Sequence, residues 1–432
     1  MNIGIIIGRI GGVDGVALET EKWIEVLKKL GHNIYIISGQ FEGRKINPET
    51  DTLVLEMSFF SPESYWGQKK AFHNPVQEAK IDDLLQHINL YSKVIYEHII
   101  NWAHEKKIDL IISENASALP YHLEMGVAIK KAIHKLGLPA ITHDHDFAWE
   151  RGERYVSPHE EINKIVEDTF PLRLPNSYHA VINSPAQQYL KKYYNLESIV
   201  IPNVMDFNDP FGLLHEQNKD LPLQLGINDN SILFFQITRI VRRKGIETAI
   251  HLVEKLQDKK VKLIITGNQD DDNKETHYHE LIDLIHELNL RGQVIFASHL
   301  ISNEGQKSKK KEKFYSLSDA YAHARACTYF STYEGFGNAF VEAVLAKKPV
   351  FVNNYKPVFW PDIGSKGFKV VMLENNILTD AKLREMSEII YNEKLIKEIG
   401  DYNFQLGKKL FSYEVLEEKL IEVIQKAVKL VK

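Results

Sequence analysis

The chain has 432 residues, enough for two or three domains but too many for one ordinary core. Hydrophobic residues at 44% and charged residues at 26% describe an ordinary globular protein, and a net charge of −5 argues against a general nucleic-acid binder. A single cysteine, Cys327, excludes an internal disulfide and fits a reducing compartment such as the cytoplasm. It lies in an apolar run and reads as a small buried hydrophobe.

The first eight residues, Met1 to Gly8, are apolar but carry no basic flank or cleavage pattern, so they read as a buried strand rather than a signal peptide. No run approaches the ~18 apolar residues of a membrane span. From there short apolar runs alternate with longer amphipathic ones, the pattern of a parallel sheet covered by helices. Strands are expected at Ile3–Ile7, Asn33–Ile37, Thr52–Leu55, Ile108–Ser113, Pro139–Thr142 and Ala180–Asn183. Helices are expected over Val16–Leu30, ended by Gly31, over Val76–Lys106 and over Glu124–Leu136. Ser184-Pro185 reads as a helix start, with Ser184 as N-cap and Pro185 in the first turn.

Asp206–Asn230 holds Pro210, Gly212, Pro222 and Gly226 without clear periodicity and reads as a linker or domain entry. A second alternating series runs from Ile232 to about Leu373. Two doubly wound Rossmann-like halves facing across a cleft follow from this, an α/β architecture. The basic run Lys307–Lys313 reads as a solvated loop, because too few aromatics accompany it for a nucleic-acid site. The last segment, Tyr413–Leu430, carries a helical stripe of Leu416, Leu420, Ile421, Val423, Ile424, Ala427, Val428 and Leu430.

The most informative stretch is Glu334-Gly-Phe-Gly-Asn-Ala-Phe-Val-Glu342, two carboxylates eight residues apart across a glycine-rich turn. A strand-like run, Ala326–Thr332, leads in, and a helix-like run, Asn338–Ala346, leads out. Such a turn lets backbone approach a ligand and offers helix N-terminal N–H groups to an anion. The stretch resembles the E-x7-E signature of retaining family 4 glycosyltransferases of GT-B fold. Phe234-Phe-Gln-Ile-Thr-Arg239, followed by Arg242-Arg-Lys244-Gly245, resembles the same family's strand, arginine and lysine-glycine helix start.

The resemblance implies a nucleotide diphosphate sugar as donor, a small-molecule acceptor, and no catalytic metal or other cofactor. It implies domains of about 1–205 on the acceptor side and 206–411 for the nucleotide sugar, with a C-terminal helix, about 412–432, crossing back to the first. Arg239 and Lys244 are implied to hold the diphosphate, Glu342 the ribose hydroxyls and Glu334 the transferred sugar. Gly335, Phe336, Gly337 and Asn338 complete that donor turn, Phe336 more by packing than by contact. Arg242 and Arg243 read better as surface charge. The glycine turn after the first strand is neither G-x-G-x-x-G nor a P-loop. Family members carry a loop there against donor phosphates and acceptor, which assigns Gly11 and Gly12.

In Thr142-His-Asp-His-Asp146 the family's strand-end histidine selects His145, with His143 second. Histidines at alternate positions can also share a face and bind zinc, although no further ligand series is evident. Beyond them, Trp149 with Arg151 and Arg154 suits an anionic sugar acceptor, by stacking and bidentate contacts, against local pairing with Glu150 and Glu153. The aromatic segment Phe59–Phe72 is an unassigned second wall. The reading is a hexosyltransferase of glucose or mannose type. Rival readings are a GT-B sugar-nucleotide 2-epimerase and a non-catalytic nucleotide-sugar-binding module.

Overall fold

A computed structural model describes residues 1–73, 80–228, 230–267, 276–301 and 313–431. The chain divides into two compact units, Met1–Pro202 with Tyr413–Lys432, and Asn203–Ser412. The basic run at 307–312 lies outside the described residues.

The first unit is built on strands β1 (Asn2–Ile7), β2 (Ile10–Gly11), β3 (Asn33–Ser38), β4 (Phe41–Glu42), β5 (Asp51–Leu53), β6 (Leu110–Glu114), β7 (Ala140–Asp144), β8 (Ser177–Val181) and β9 (Ser198–Val200). Seven of them form one sheet in the order β5-β3-β1-β6-β7-β8-β9, with every pairing parallel. β2 and β4 form a separate short pair. Consecutive residues Ile3, Gly4, Ile5, Ile6 and Ile7 of β1 are all buried, because helices cover both faces of a parallel sheet.

The covering helices are α1 (Gly15–Lys29), α2 (Pro62–Gln68), α3 (Ile81–Glu105), α4 (Leu123–Leu136), α5 (Glu160–Thr169) and α6 (Ser184–Tyr189). Asp14 caps α1, accepting from the N–H groups of Val16 and Ala17 at 3.1 Å each. Asn183, rather than Ser184, caps α6, so Ser184 and Pro185 both stand inside the first turn. Thr52–Leu55 is shorter as a strand than expected, since Leu55–Met57 turns into a 3-10 helix. α3 begins at Ile81, and residues 76–79 of the expected helix fall outside the described residues. β7 runs two residues further than the apolar pattern suggested, which makes His143 and Asp144 strand residues on opposite faces. β8 lies earlier, at Ser177–Val181, leaving Asn183 free to cap.

In the second unit α7 (Leu221–Gln224) precedes β10 (Ile232–Gln236), α8 (Ile246–Leu256), β11 (Val261–Ile265), α9 (Thr276–Glu287), β12 (Val294–Phe296), α10 (Leu317–His323), β13 (Ala326–Tyr329), α11 (Asn338–Leu345), β14 (Val350–Asn353), β15 (Val371–Leu373), α12 (Asp380–Ile390) and α13 (Glu393–Phe411). Its sheet order is β12-β11-β10-β13-β14-β15, again parallel throughout. Cys327 is buried in β13, and burial pushes its thiol up to about 12, as inert as a hydrophobe. The strand stops at Tyr329, so Phe330–Thr332 already belong to the following loop.

The last helix, α14 (Tyr413–Lys429), belongs to the first unit. It buries Leu416, Leu420, Val423, Ile424 and Ala427, while Ile421 and Leu430 of the expected stripe face solvent. Lys29 of α1 meets Glu417 at 2.7 Å. No helix of the described residues is long and apolar enough to cross a membrane.

One buried charge bears on the first unit's stability. Glu124, 1% exposed in the first turn of α4, faces His122 Nδ1 at 3.1 Å and His87 Nε2 at 3.3 Å. Burial pushes its carboxyl up, but the contacts from His122 and His87 outweigh it and hold it at about 2. A depressed carboxylate contributes stability above its unfolded value near 4.5, and that contribution fades as pH falls toward 2. Glu124→Gln should therefore flatten the acid limb of a Tm-against-pH curve between those values, by about 3 kcal/mol at most. An unchanged limb would assign acid unfolding to other groups.

Candidate functional site

Both sheets reverse their strand order at one place. In the first unit the chain moves from β1 outward through β3 to β5, then returns to place β6 on the other side of β1. In the second it moves from β10 through β11 to β12 and returns to β13. Crossovers leave such a point to opposite faces, which opens a crevice beyond the carboxyl ends of the two strands.

At the second unit's reversal, the loop after β10 carries Arg239 and the turn Arg242–Lys244, and the loop after β13 carries Glu334. Lys244 Nζ pairs with Glu334 Oε1, and Arg243 reaches Glu334 Oε2 at 2.8 Å. Both Lys244 and Glu334 are 8% exposed. Burial pushes the Glu334 carboxyl up, but Lys244 and Arg243 outweigh this and hold it below its ordinary value. Burial lowers Lys244, with Glu334 opposing. The Lys244 ammonium also lies 5.7 Å from the Tyr329 ring centre, and its main-chain carbonyl accepts from Gln236 Nε2 at 2.9 Å. Arg243, read from sequence as surface charge, is thus part of the cluster. Arg242 does turn outward, to Glu280 at 2.6 Å. Arg239 is exposed at the strand end.

The glycine turn then delivers α11. Gly337 has φ +133°, and a Cβ there would lie 2.1 Å from the Tyr355 hydroxyl, which donates to the Phe336 carbonyl at 2.6 Å. The Phe336 ring is buried against Phe411, so packing accounts for it. Gly335 and Asn338 are half-buried, and Asn338 Oδ1 accepts from Asn203 at 2.8 Å. Glu342, half-buried in the helix, accepts from the buried Tyr321 hydroxyl at 3.0 Å.

At the first unit's reversal a cavity of about 260 Å³ opens beside β1 and β6. Arg9, Asp14, Asp146, Arg151, Arg154 and Tyr121 line it, with Phe59 and Phe60 on one wall. The aromatic segment unassigned from sequence therefore reaches the cavity through its first two residues only. Trp66 packs on His87, and Phe72 on Tyr155. Trp149 does not line the cavity: it is stacked between Phe147, at 4.3 Å, and Tyr189, at 4.2 Å. Arg151 pairs with Asp146. Gly11 and Gly12 have φ +85° and +72°, and a Cβ on Gly11 would lie 2.0 Å from the Glu42 carbonyl oxygen. The β2–β4 pairing alone requires glycine there.

His143 and His145 do share a face, with ring centres 4.3 Å apart. His143 is stacked 3.9 Å from Trp23, and its Nδ1 lies 2.8 Å from Glu114 Oε2. Glu114, at the end of β6, was not singled out from sequence. The only available signal was a carboxylate closing an apolar strand. Burial pushes Glu114 up, His143 down to about 4 and His145 well down, which leaves two neutral imidazoles. Ligand atoms of Glu114, His143 and His145 all lie within 4.8 Å of one another, a donor set of zinc type. The Glu114–His143 hydrogen bond uses Oε2 and Nδ1, and among the described residues Glu114 Oε1, His143 Nε2 and His145 Nε2 are buried without a hydrogen-bond partner.

The second unit's cluster gives a stability test. Lys244→Met leaves the buried Glu334 carboxylate with Arg243 as its remaining ion-pair partner and should cost about 3–5 kcal/mol. Adding Glu334→Gln should recover most of that loss in thermal melts. A double variant no more stable than the single one would mean that the pair's burial is not what Lys244 supports.

The sequence model of "Glycosyl transferases group 1" matches residues 217–404. The chain is 32% identical to a mannosylglucosylglycerate synthase of Thermotoga maritima, over 97% of this chain and 99% of that one. It is 31% identical to a synthase of the same name from Petrotoga mobilis, over 95% and 98%. Among solved structures, a glycosyltransferase from Rickettsia africae superposes with TM-score 0.69 at 15% identity, covering 99% of this chain and 98% of that one. HepE of Anabaena, solved with UDP-glucose, gives 0.61 at 17% identity, covering 99% and 100%. The expected two-domain α/β architecture is met. The chain belongs to the glycosyl transferases group 1 family and has the GT-B fold.

Proposed function

We propose that this glycosyltransferase moves a hexose from a nucleotide diphosphate sugar to a small anionic acceptor with retention of anomeric configuration, by family 4 chemistry. The observation that carries the reading is the charge cluster Lys244–Glu334–Arg243 beside Arg239 at the β10/β13 reversal. Support comes from the relatives named mannosylglucosylglycerate synthase. Brought to this chain, that name suggests mannosyl transfer to a glucoside of glycerate, whose carboxylate makes it an anion.

On this reading Arg239, Lys244 and the N–H groups at the start of α11 take the charge of the departing diphosphate. Gly335, Gly337 and Asn338 let that backbone approach the donor. Glu342 accepts from ribose hydroxyls, and Glu334, ionised, accepts from the transferred sugar. His145, neutral, hydrogen-bonds the same sugar. The bond from C1 to the diphosphate breaks, and the acceptor oxygen joins C1 on the face being vacated. The acceptor proton passes to a diphosphate oxygen. Gly11 and Gly12 border the phosphates and acceptor, and Arg151 or Arg154 holds the acceptor's anion. No metal or other cofactor takes part, and the enzyme works in the cytoplasm.

The deciding assay incubates the protein with a panel of nucleotide sugars and a glucoside of glycerate, and reads the product's anomeric configuration by NMR. An inverted product, or donor epimerised at C2 with no transfer, would sink the reading. Lys244→Ala and Arg239→Ala should each lower kcat/KM about 100-fold while the chain stays folded. Wild-type turnover in either would remove that residue from the diphosphate site. Turnover should also survive exhaustive EDTA. Loss restored by one divalent ion would instead make Glu114, His143 and His145 a metal centre.

A further inference from the structure

We infer that Arg154, not Arg151, is the acceptor's carboxylate subsite, and that Arg151 is a positioning residue. The inference rests on the acceptor chemistry proposed above and follows from the charges lining the cavity at the β1/β6 reversal. Three arginines and three acidic residues face it. Asp14 is spent, with Oδ1 capping α1 and Oδ2 on Arg9 at 2.8 Å. Asp146 is spent too, with Oδ1 accepting from Asn115 at 2.9 Å and Oδ2 from Arg151. Glu114 is taken as well, with Oε2 2.8 Å from His143 Nδ1.

Arg9 and Arg151 are therefore each matched by a carboxylate, and Arg154 is not. Among the described residues no carboxylate pairs with it, and its guanidinium carbon lies over two aromatic rings, Tyr121 at 5.7 Å and Tyr155 at 5.4 Å. Among the described residues the cavity thus presents one guanidinium that no carboxylate holds, a planar fork lying over tyrosine rings. A fork of that kind takes a carboxylate bidentately. The remaining wall suits the rest of such a molecule. Phe60 and Tyr121 are 65% and 40% exposed, large apolar surfaces left bare on a cavity rim, and the apolar face of a sugar ring stacks on surfaces of that kind. A volume of about 260 Å³ accommodates a small glycoside.

Arg151, bonded through Asp146 to Asn115, acts differently. Asn115 Oδ1 accepts from the main-chain N–H of His145 at 3.0 Å, so the Arg151 chain of contacts sets the loop that presents His145.

The test separates binding from turnover. Calorimetry measures the affinity of the full-length protein for a glucoside of glycerate and for the matching neutral glucoside of glycerol. Wild type should favour the acid. Arg154→Gln should weaken acid binding about 10- to 100-fold, leave the neutral glucoside unchanged and keep donor affinity. Arg154→Lys should restore only part of it, since an ammonium lacks the fork. Arg151→Gln should keep the acid preference and lower kcat. Equal binding of acid and neutral glucosides by wild type overturns the subsite, as does an acid preference that survives Arg154→Gln or is lost in Arg151→Gln instead. If the acid binds through Arg154 but no nucleotide sugar is ever transferred to it, the subsite stands and the transferase reading falls.

Discussion

The reversal of strand order in each parallel sheet is the constraint on which the functional geometry depends. A parallel strand must be left through a crossover, and consecutive crossovers on the same face cover the strand ends with helix and loop. Only where the order reverses do neighbouring strands send their chains to opposite faces, leaving their carboxyl ends uncovered. β1 and β6 meet in this way, and Arg9 and Glu114 emerge there. β10 and β13 do so in the second unit, and Arg239 and Glu334 emerge there. The sheets are otherwise ordinary apolar scaffolds.

The two openings handle charge in different ways. In the second unit Glu334 is buried and ionised, which is tolerable only because Lys244 and Arg243 both reach it. A buried carboxylate that already holds its cations keeps Lys244 in place without ligand, over the Tyr329 ring. In the first unit the deepest groups are instead kept neutral: desolvation drives Glu114 up and both histidines down. Charge appears there toward the rim, on Arg9, Arg151 and Arg154 and on the Asp14 and Asp146 carboxylates that pair with the first two.

Much of the fold was legible because parallel sheets write continuous apolar runs, and Ile3–Ile7 and Phe234–Gln236 are of that kind. Boundaries slipped where polar residues continue a strand. His143 and Asp144 belong to β7 because Glu114, Thr142 and His179 meet their side chains, and no apolar pattern records that. Capping slipped by one at Asn183, since Asn and Ser are nearly equal caps and only geometry chooses between them. In the site, residues tied to a local motif were visible, whereas those defined by a distant partner were not. Arg243 looks like one of three adjacent basic residues until Glu334, ninety-one positions away, is seen to accept from it. Trp149 looks like a binding aromatic until Phe147 and Tyr189 close on its two faces.

Glycine-rich turns show the same ambiguity in its sharpest form. A glycine marks a place where a Cβ would collide, but the sequence does not say with what. At Gly11 the obstacle is the Glu42 carbonyl of the paired strand, and at Gly337 it is the Tyr355 hydroxyl bound to the Phe336 carbonyl. Both glycines are demanded by the protein's own packing before any ligand is considered. That demand still serves a site, because packing of this rigidity fixes the turn that starts α11 and the loop that carries Arg9. Ligand approach and internal close packing are therefore not rival explanations of a glycine-rich turn: the second holds still the backbone that the first requires.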